Sequence, residues 1–170
     1  VSFKETCEAW GLPDSPIDFN AVVCNLPLYF EGLWVTIQLV VMALAIGLLL
    51  SVPTAMAAAS GSVLVRALPK AFIYFFRGTP LLVQMFLIYY GFGQFEAIRE
   101  SFMWPVLREA YWCALIAFSL NTAGYTAEIL RGAIAQTPFG EIEAAKACGM
   151  SGAQLYQRII LPSAFRRALP

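Results

Sequence analysis

From Gly32 to Val65 the sequence runs for 34 residues without a charged side chain. A soluble helix of that length needs one polar face, and this stretch has none to present to water. At about 1.5 Å per residue, its core at residues 33–58 crosses a hydrocarbon layer of about 30 Å with some tilt. It reads LWVTIQLVVMALAIGLLLSVPTAMAA. The run is too long, and too far from the N-terminus, for the apolar part of a signal peptide. Composition points the same way, with 59% hydrophobic and 13% charged residues. A soluble domain of 170 residues needs a polar shell that these proportions do not supply. The 11 Lys and Arg are matched by 11 Asp and Glu, so the basic excess of a nucleic-acid binder is missing. The sequence reads as an integral, all-α membrane protein, because a lone strand cannot satisfy its backbone in lipid.

Two further charge-free runs define two more spans. One is Gly78 to Phe95, extended backwards through Ala71–Phe76 and interrupted at Arg77-Gly78-Thr79-Pro80. The other is Ala110 to Ala127. The expected layout is an external segment at 1–32, span 1 at 33–58, a cytoplasmic loop at 59–70 and span 2 at 71–95, broken near 77–80. An external loop at 96–109 and span 3 at 110–131 follow, then a cytoplasmic segment at 137–162 and a remainder at 163–170. Basic residues in 1–32, 59–77, 96–109 and the tail from Arg131 number 1, 3, 2 and 5. That bias places the N-terminus outside and the tail in the cytoplasm. Tyr29, Trp34, Trp104, Tyr111 and Trp112 fall near the expected interfaces, as an aromatic belt does.

The residues that are missing narrow the chemistry. The chain has no His, which removes His-based zinc sites, Ser-His catalysis and His proton relays. Its only Asp residues are Asp14 and Asp18, so no Asp pair sits within the spans. No GxxxxGK[ST] loop is present to bind ATP. No catalytic residue, resident cofactor or metal site is expected. The four cysteines, Cys7, Cys24, Cys113 and Cys148, lack CxxC spacing. Cys7 and Cys24 either pair outside the cell or are two ordinary small residues.

After span 3 the sequence changes character. Thr137 is placed to cap a helix with Pro138 at its first position, and Glu141–Cys148 is rich in helix formers. Gly149 is placed to end that helix. A second short helix is expected from near Ser151 to Ile160, broken at Pro162. Helix, glycine turn and helix make a compact knob on the cytoplasmic face, either a docking element or a plain surface loop.

The residues Glu143-Ala144-Ala145, Gly149, Ile159 and Leu161-Pro162 stand in the pattern EAA-x3-G-x9-I-x-LP. This resembles the signature loop of the membrane subunits of binding-protein-dependent ABC importers. Phe76-Arg-Gly-Thr-Pro-Leu-Leu-Val-Gln84, Leu120–Ile129 and Gly132–Ile134 resemble the polar amino-acid branch of that family. Phe86–Gly91 with Ala110–Leu115 most resembles permeases for histidine, arginine, ornithine and opines. The resemblance covers about residues 25–170. It implies a type-I ABC importer permease (MetI-like) architecture in a bacterial inner membrane, with a periplasmic N-terminus. It also implies uptake of a basic amino acid or opine. The implied partners are ATP-binding cassette subunits that carry the ATP, a homologous permease subunit and a periplasmic substrate-binding protein. Permeases of the family continue through about two more membrane helices. This sequence starts with Val and stops at Pro170, so a fragment or truncated product is expected, unable to form a complete path by itself.

The resemblance implies that Glu143, Ala144, Ala145, Gly149, Ile159, Leu161 and Pro162 couple the permease to the ATPase. Ala144 and Ala145 allow close approach, Gly149 permits the turn, and Glu143 offers a carboxylate. Alone, Glu143 reads equally as a solvated charge paired with Lys146. Arg77, Gly78, Thr79 and Pro80 read as a gate or hinge, or as a simple kink with Arg77 as an anchor. Asn121, Tyr125 and Glu128 are spaced i, i+4, i+7 and share a helix face, with Thr122 and Thr126 beside them. They read as a substrate path in which Glu128 stabilises a cationic side chain. Alternatively, Asn121 hydrogen-bonds between helices and Glu128 pairs with Arg131. Met42, Ala43, Ala45 and Gly47 suit close helix packing. The rival readings are an ion-coupled secondary transporter, which needs no docking knob, and a non-transporting truncated remnant. An intramembrane enzyme lacks the His or Asp it would need.

Overall fold

The structure is a computed structural model that describes residues 25–168. The Cys7–Cys24 pairing and most of the external segment expected at 1–32 lie outside the described residues. The described residues divide into two units, with the boundary between Val41 and Met42. All regular structure among the described residues is helical.

Helix α1 spans Leu26–Ala58 and runs through Pro53 without ending. It starts at Leu26 rather than at residue 33. The Asn25 carbonyl accepts the N–H groups of Leu28 and Tyr29, and Glu31 is exposed in the second turn. Within Met42–Pro170, α1 buries Ala43, Gly47, Ser51, Ala55 and Ala58, a ridge of small residues repeating every three or four positions. Ala45 and Met42 lie off that ridge and are exposed. A Cβ on Gly47 would stand 2.7 Å from the Thr122 side chain, so this glycine sets how closely α1 approaches the helix opposite.

Helix α2, Val63–Gly78, occupies most of the loop expected at 59–70. Arg66 and Lys70, whose charges mark that stretch as a loop in the sequence, are four apart and share one face of α2. Pro69 lies inside the helix. Helix α3, Leu81–Phe86, follows, widens into a π-helical turn at Leu87–Gly91, and tightens into a 3-10 turn at Phe92–Gln94. The axes of α2 and of the Leu81–Gln94 segment meet at 109°. The segment expected as an external loop holds two single-turn helices, α4 (Glu96–Arg99) and α5 (Trp104–Leu107).

Helix α6, Ala110–Ala135, forms the centre of the second unit and runs past residue 131. It buries a row of small residues, including Ala117, Ser119, Ala123, Gly124 and Ala127. Two helices among the described residues, α1 and α6, are long and apolar enough to cross a membrane, and the bent α2–α3 pair passes the same test as one broken span.

The rest is short. Helix α7 spans Phe139–Ala147, α8 spans Gly152–Leu155 with a π-helical turn at Tyr156–Ile160, and α9 spans Leu161–Ala168. Two details correct the reading of this tail. Pro138, not Thr137, is the N-cap of α7: its carbonyl accepts from Glu141 and Ile142, while Thr137 is buried with its Oγ1 unpaired. A residue before proline is pushed towards extended backbone, which leaves Thr137 outside the helix. Pro162 does not end the second helix, which continues to Ala168. The turn ahead of it widens, so that the Leu161 N–H reaches the Tyr156 carbonyl, and the proline ring is accommodated there.

Candidate functional site

The last turn of α2 lies along one face of α6, formed by Asn121, Gly124, Tyr125 and Glu128. Gly124 admits the contact: a Cβ there would stand 2.9 Å from the Cβ of Phe76. Arg77 lies 3.6 Å from the Glu128 carboxylate, and its guanidinium stacks over the Tyr125 ring at 5.8 Å. Glu128 is also held by Arg131, whose Nε and Nη2 donate to both carboxylate oxygens at 2.8 and 2.7 Å. The i, i+4, i+7 face read from sequence is therefore the seam on which α2 sits. Glu128 takes the Arg131 pairing, and a cationic ligand would share its carboxylate with two guanidiniums. Tyr125 stays 46% exposed.

The break itself follows from Pro80. A proline has no N–H, so the Phe76 carbonyl, four residues earlier, loses its helical partner. Left unpaired in an apolar surrounding, such a group costs about 1–3 kcal/mol. Two side-chain amides supply the missing donors. Gln84 Nε2 shares its two N–H groups among three acceptors, the Phe76 carbonyl at 2.9 Å and the Thr79 carbonyl and hydroxyl at 3.0 and 2.8 Å. Asn121 Nδ2 donates to Gln84 Oε1 at 3.2 Å and, more weakly, to the Phe76 carbonyl at 3.4 Å. Thr79 ends α2 with the ordinary helical bond from its N–H to the Phe75 carbonyl, to which its hydroxyl also donates. Gln84 is only 2% exposed. A concavity of about 450 Å³ lies against the break, lined by Tyr74, Phe75, Arg77, Gly78 and Thr79.

The second site is the knob after α6. Gly149 has φ +75°, and the turn around it is closed by Met150 N–H to the Ala145 carbonyl and Gly149 N–H to the Lys146 carbonyl. That is a Schellman closure, which needs a residue able to adopt left-handed backbone. Ser151 starts α8 with a reciprocal cap: its hydroxyl accepts from the Gln154 N–H, and the Gln154 side chain accepts from the Ser151 N–H. Ala145, Leu155 and Ile160 form a small core, with Ile134, Ile142, Met150 and Ile159 against it. Arg167 ties α9 back, donating to the Gln136 carbonyl at 2.8 Å and lying 3.7 Å from Glu141.

The residues read as a coupling group thus divide. Ala145 faces the knob's own core, Ile159 and Leu161 are half-buried, and Glu143, Ala144, Gly149 and Pro162 are exposed. No ion pair joins Glu143 to Lys146 among the described residues. Sequence reasoning passes over four residues that the geometry brings forward. These are Gln84 and Gly124 at the break, Arg167 on α9, and Phe139, which is 83% exposed one helical turn before Glu143. Gln84 follows Pro80 by four residues, and Gly124 lies on the marked face of α6; those spacings are the available signals.

Comparison with known proteins gives one consistent answer. Residues 47–170 match the family described as "Binding-protein-dependent transport system inner membrane component". The octopine transport system permease protein of Rhizobium radiobacter is 49% identical over 152 residues, which is 89% of this chain and 59% of that protein. The nopaline permease of Agrobacterium fabrum is 43% identical, over 91% of this chain and 64% of its own length. The histidine/lysine/arginine/ornithine permease of Salmonella typhimurium is 41% identical, over 83% and 60%. The chain thus spans about three fifths of the length of these relatives. A solved structure, titled as a crystal structure of an amino acid ABC transporter with histidines, superposes with a TM-score of 0.74 at 32% identity. It covers 92% of this chain and 69% of that one. This chain belongs to the inner-membrane components of binding-protein-dependent ABC transport systems and has their type-I permease fold.

Proposed function

We propose that this chain is part of the permease of an ATP-driven importer for basic amino acids or opines, and that its knob docks on a separate ATPase. The observation that carries the reading is the build of the knob. Its apolar residues close on one another and on Ile134 of α6, and its glycine turn and second helix are capped internally. It turns outward Glu143, Ala144 and Phe139, beside the further exposed charges Glu141, Lys146 and Arg158. A small residue next to one aromatic anchor within a charged rim suits insertion into a cleft. The substrate class is drawn from the opine and basic amino-acid permeases to which the chain is similar.

In this reading ATP is bound by the partner chain. Arg77, Gly78, Thr79 and Pro80 act as the gate, and Asn121, Tyr125 and Glu128 border the substrate path. A homologous permease subunit completes the path, and a periplasmic binding protein delivers the substrate. The complex sits in a bacterial inner membrane with the chain's N-terminus outside, as the basic-residue bias favours. The test is co-purification of the ATPase with the permease from membranes. Glu143→Ala and Phe139→Ala should each lower recovery about tenfold or more, equivalent to about 1.4 kcal/mol. Unchanged recovery in both variants overturns the docking role.

A further inference from the structure

We propose that Gln84 is the positioning residue of the helix break. Its side-chain amide takes the place of the backbone N–H that Pro80 lacks and, through Asn121, holds the end of α2 and the start of α3 on α6. Three observations support this. Pro80 leaves the Phe76 carbonyl without its helical donor. Gln84 reaches that carbonyl at 2.9 Å and both oxygens of Thr79 within 3.0 Å, while its own Oε1 accepts from Asn121 on α6. The side chain is 2% exposed, so water does not compete for these bonds. Gaps in membrane helices are tolerated where neighbouring groups satisfy the freed backbone, and here Gln84, with Asn121 beside it, closes the gap and sets the position of both arms. Its functional part rests on the reading of Arg77–Pro80 as a gate: with the amide removed, the gate loses its fixed relation to α6.

The experiment measures amide hydrogen exchange over residues 76–86, together with substrate uptake, in the assembled transporter in lipid nanodiscs or liposomes. Gln84→Met keeps the length of the side chain and removes its donors. It should raise exchange about tenfold, the factor implied by a buried carbonyl left with only the long 3.4 Å contact from Asn121, and lower uptake while ATPase recovery stays unchanged. Adding Pro80→Ala supplies an N–H at residue 80, which reaches the Phe76 carbonyl once Thr79 leaves its extended conformation and α2 lengthens. The double variant should regain protection without regaining uptake, because the carbonyl is satisfied while the arms are no longer held. Unchanged exchange in Gln84→Met overturns the proposal, as does a double variant with no regained protection. Full recovery of uptake in the double variant overturns the positioning role. If Gln84→Met does not assemble, the double variant must do so, and its failure also overturns the proposal. A parent complex that binds but does not transport sinks the importer reading alone, and the exchange result still decides the role of Gln84.

Discussion

The break between α2 and α3 and the knob after α6 are made of similar parts, a glycine, a proline and a few polar side chains, yet they direct those parts oppositely. At the break the polar groups face inward: Gln84, Asn121 and Thr79 are engaged with one another and with freed carbonyls, and Glu128 is clamped by two arginines. In the knob the apolar groups face inward, and Glu143, Ala144 and Phe139 are left over at the surface. A segment inside a bilayer has no water to satisfy its backbone, so its polar residues serve the fold first. A segment in water already has that supply, and its surface residues are free to meet a partner. Polar residues in the two regions are therefore engaged differently, even where the sequence marks them equally.

Substitutions that damage one region and spare the other sharpen this contrast. The largest effect is expected from Gly124→Leu. Leucine is a better helix former than glycine, so any loss comes from the Cβ forced to 2.9 Å from Phe76. Overpacking of this kind costs about 1–3 kcal/mol. It should lower the melting temperature and the uptake of the complex and leave ATPase recovery near that of the parent. Equal loss of ATPase recovery would break the separation of the two regions. Next is Gly149→Ala. Nothing lies within 4 Å of the added methyl, so only the positive φ resists it, at about 1–2 kcal/mol. ATPase recovery should fall, and Gly149→Asn should restore most of it, since asparagine tolerates that conformation. The smallest effect belongs to Ser151→Ala, which removes one half of a reciprocal cap at an exposed site for about 1 kcal/mol. Faster amide exchange across residues 151–160, with residues 76–86 unchanged, is the expected signature.

Much of this architecture is legible in the sequence, for identifiable reasons. Long charge-free runs mark the apolar helices, and Pro80 after Arg77-Gly78-Thr79 marks the break. Gly149 and Ser151 mark the turn and the second helix of the knob; each acts on its own immediate backbone, so local pattern finds them. Gln84 is not legible as a partner of the break. The need for it arises only once α2 is known to continue to Gly78 and leave the Phe76 carbonyl facing the missing N–H of Pro80. Gly124 is hidden for a related reason, because the group that demands its lack of a Cβ is Phe76, far away in the chain. Pro162 reads as a stop in any local rule, and only the widened turn before it shows how the helix passes through. The small-residue ridge on α1 is half visible. Ala43 and Gly47 belong to it, but its repeat continues through Ser51 and Ala55, beyond the cluster that composition picks out.

The most direct test of the account is ATP-dependent uptake of arginine, ornithine, histidine and octopine into liposomes that hold this permease with its ATPase and partner permease, supplied with the binding protein. The account predicts uptake of at least one of them that requires ATP and falls with Glu143→Ala while the knob remains folded. Uptake driven by an ion gradient without ATP, or uptake indifferent to Glu143, would contradict it.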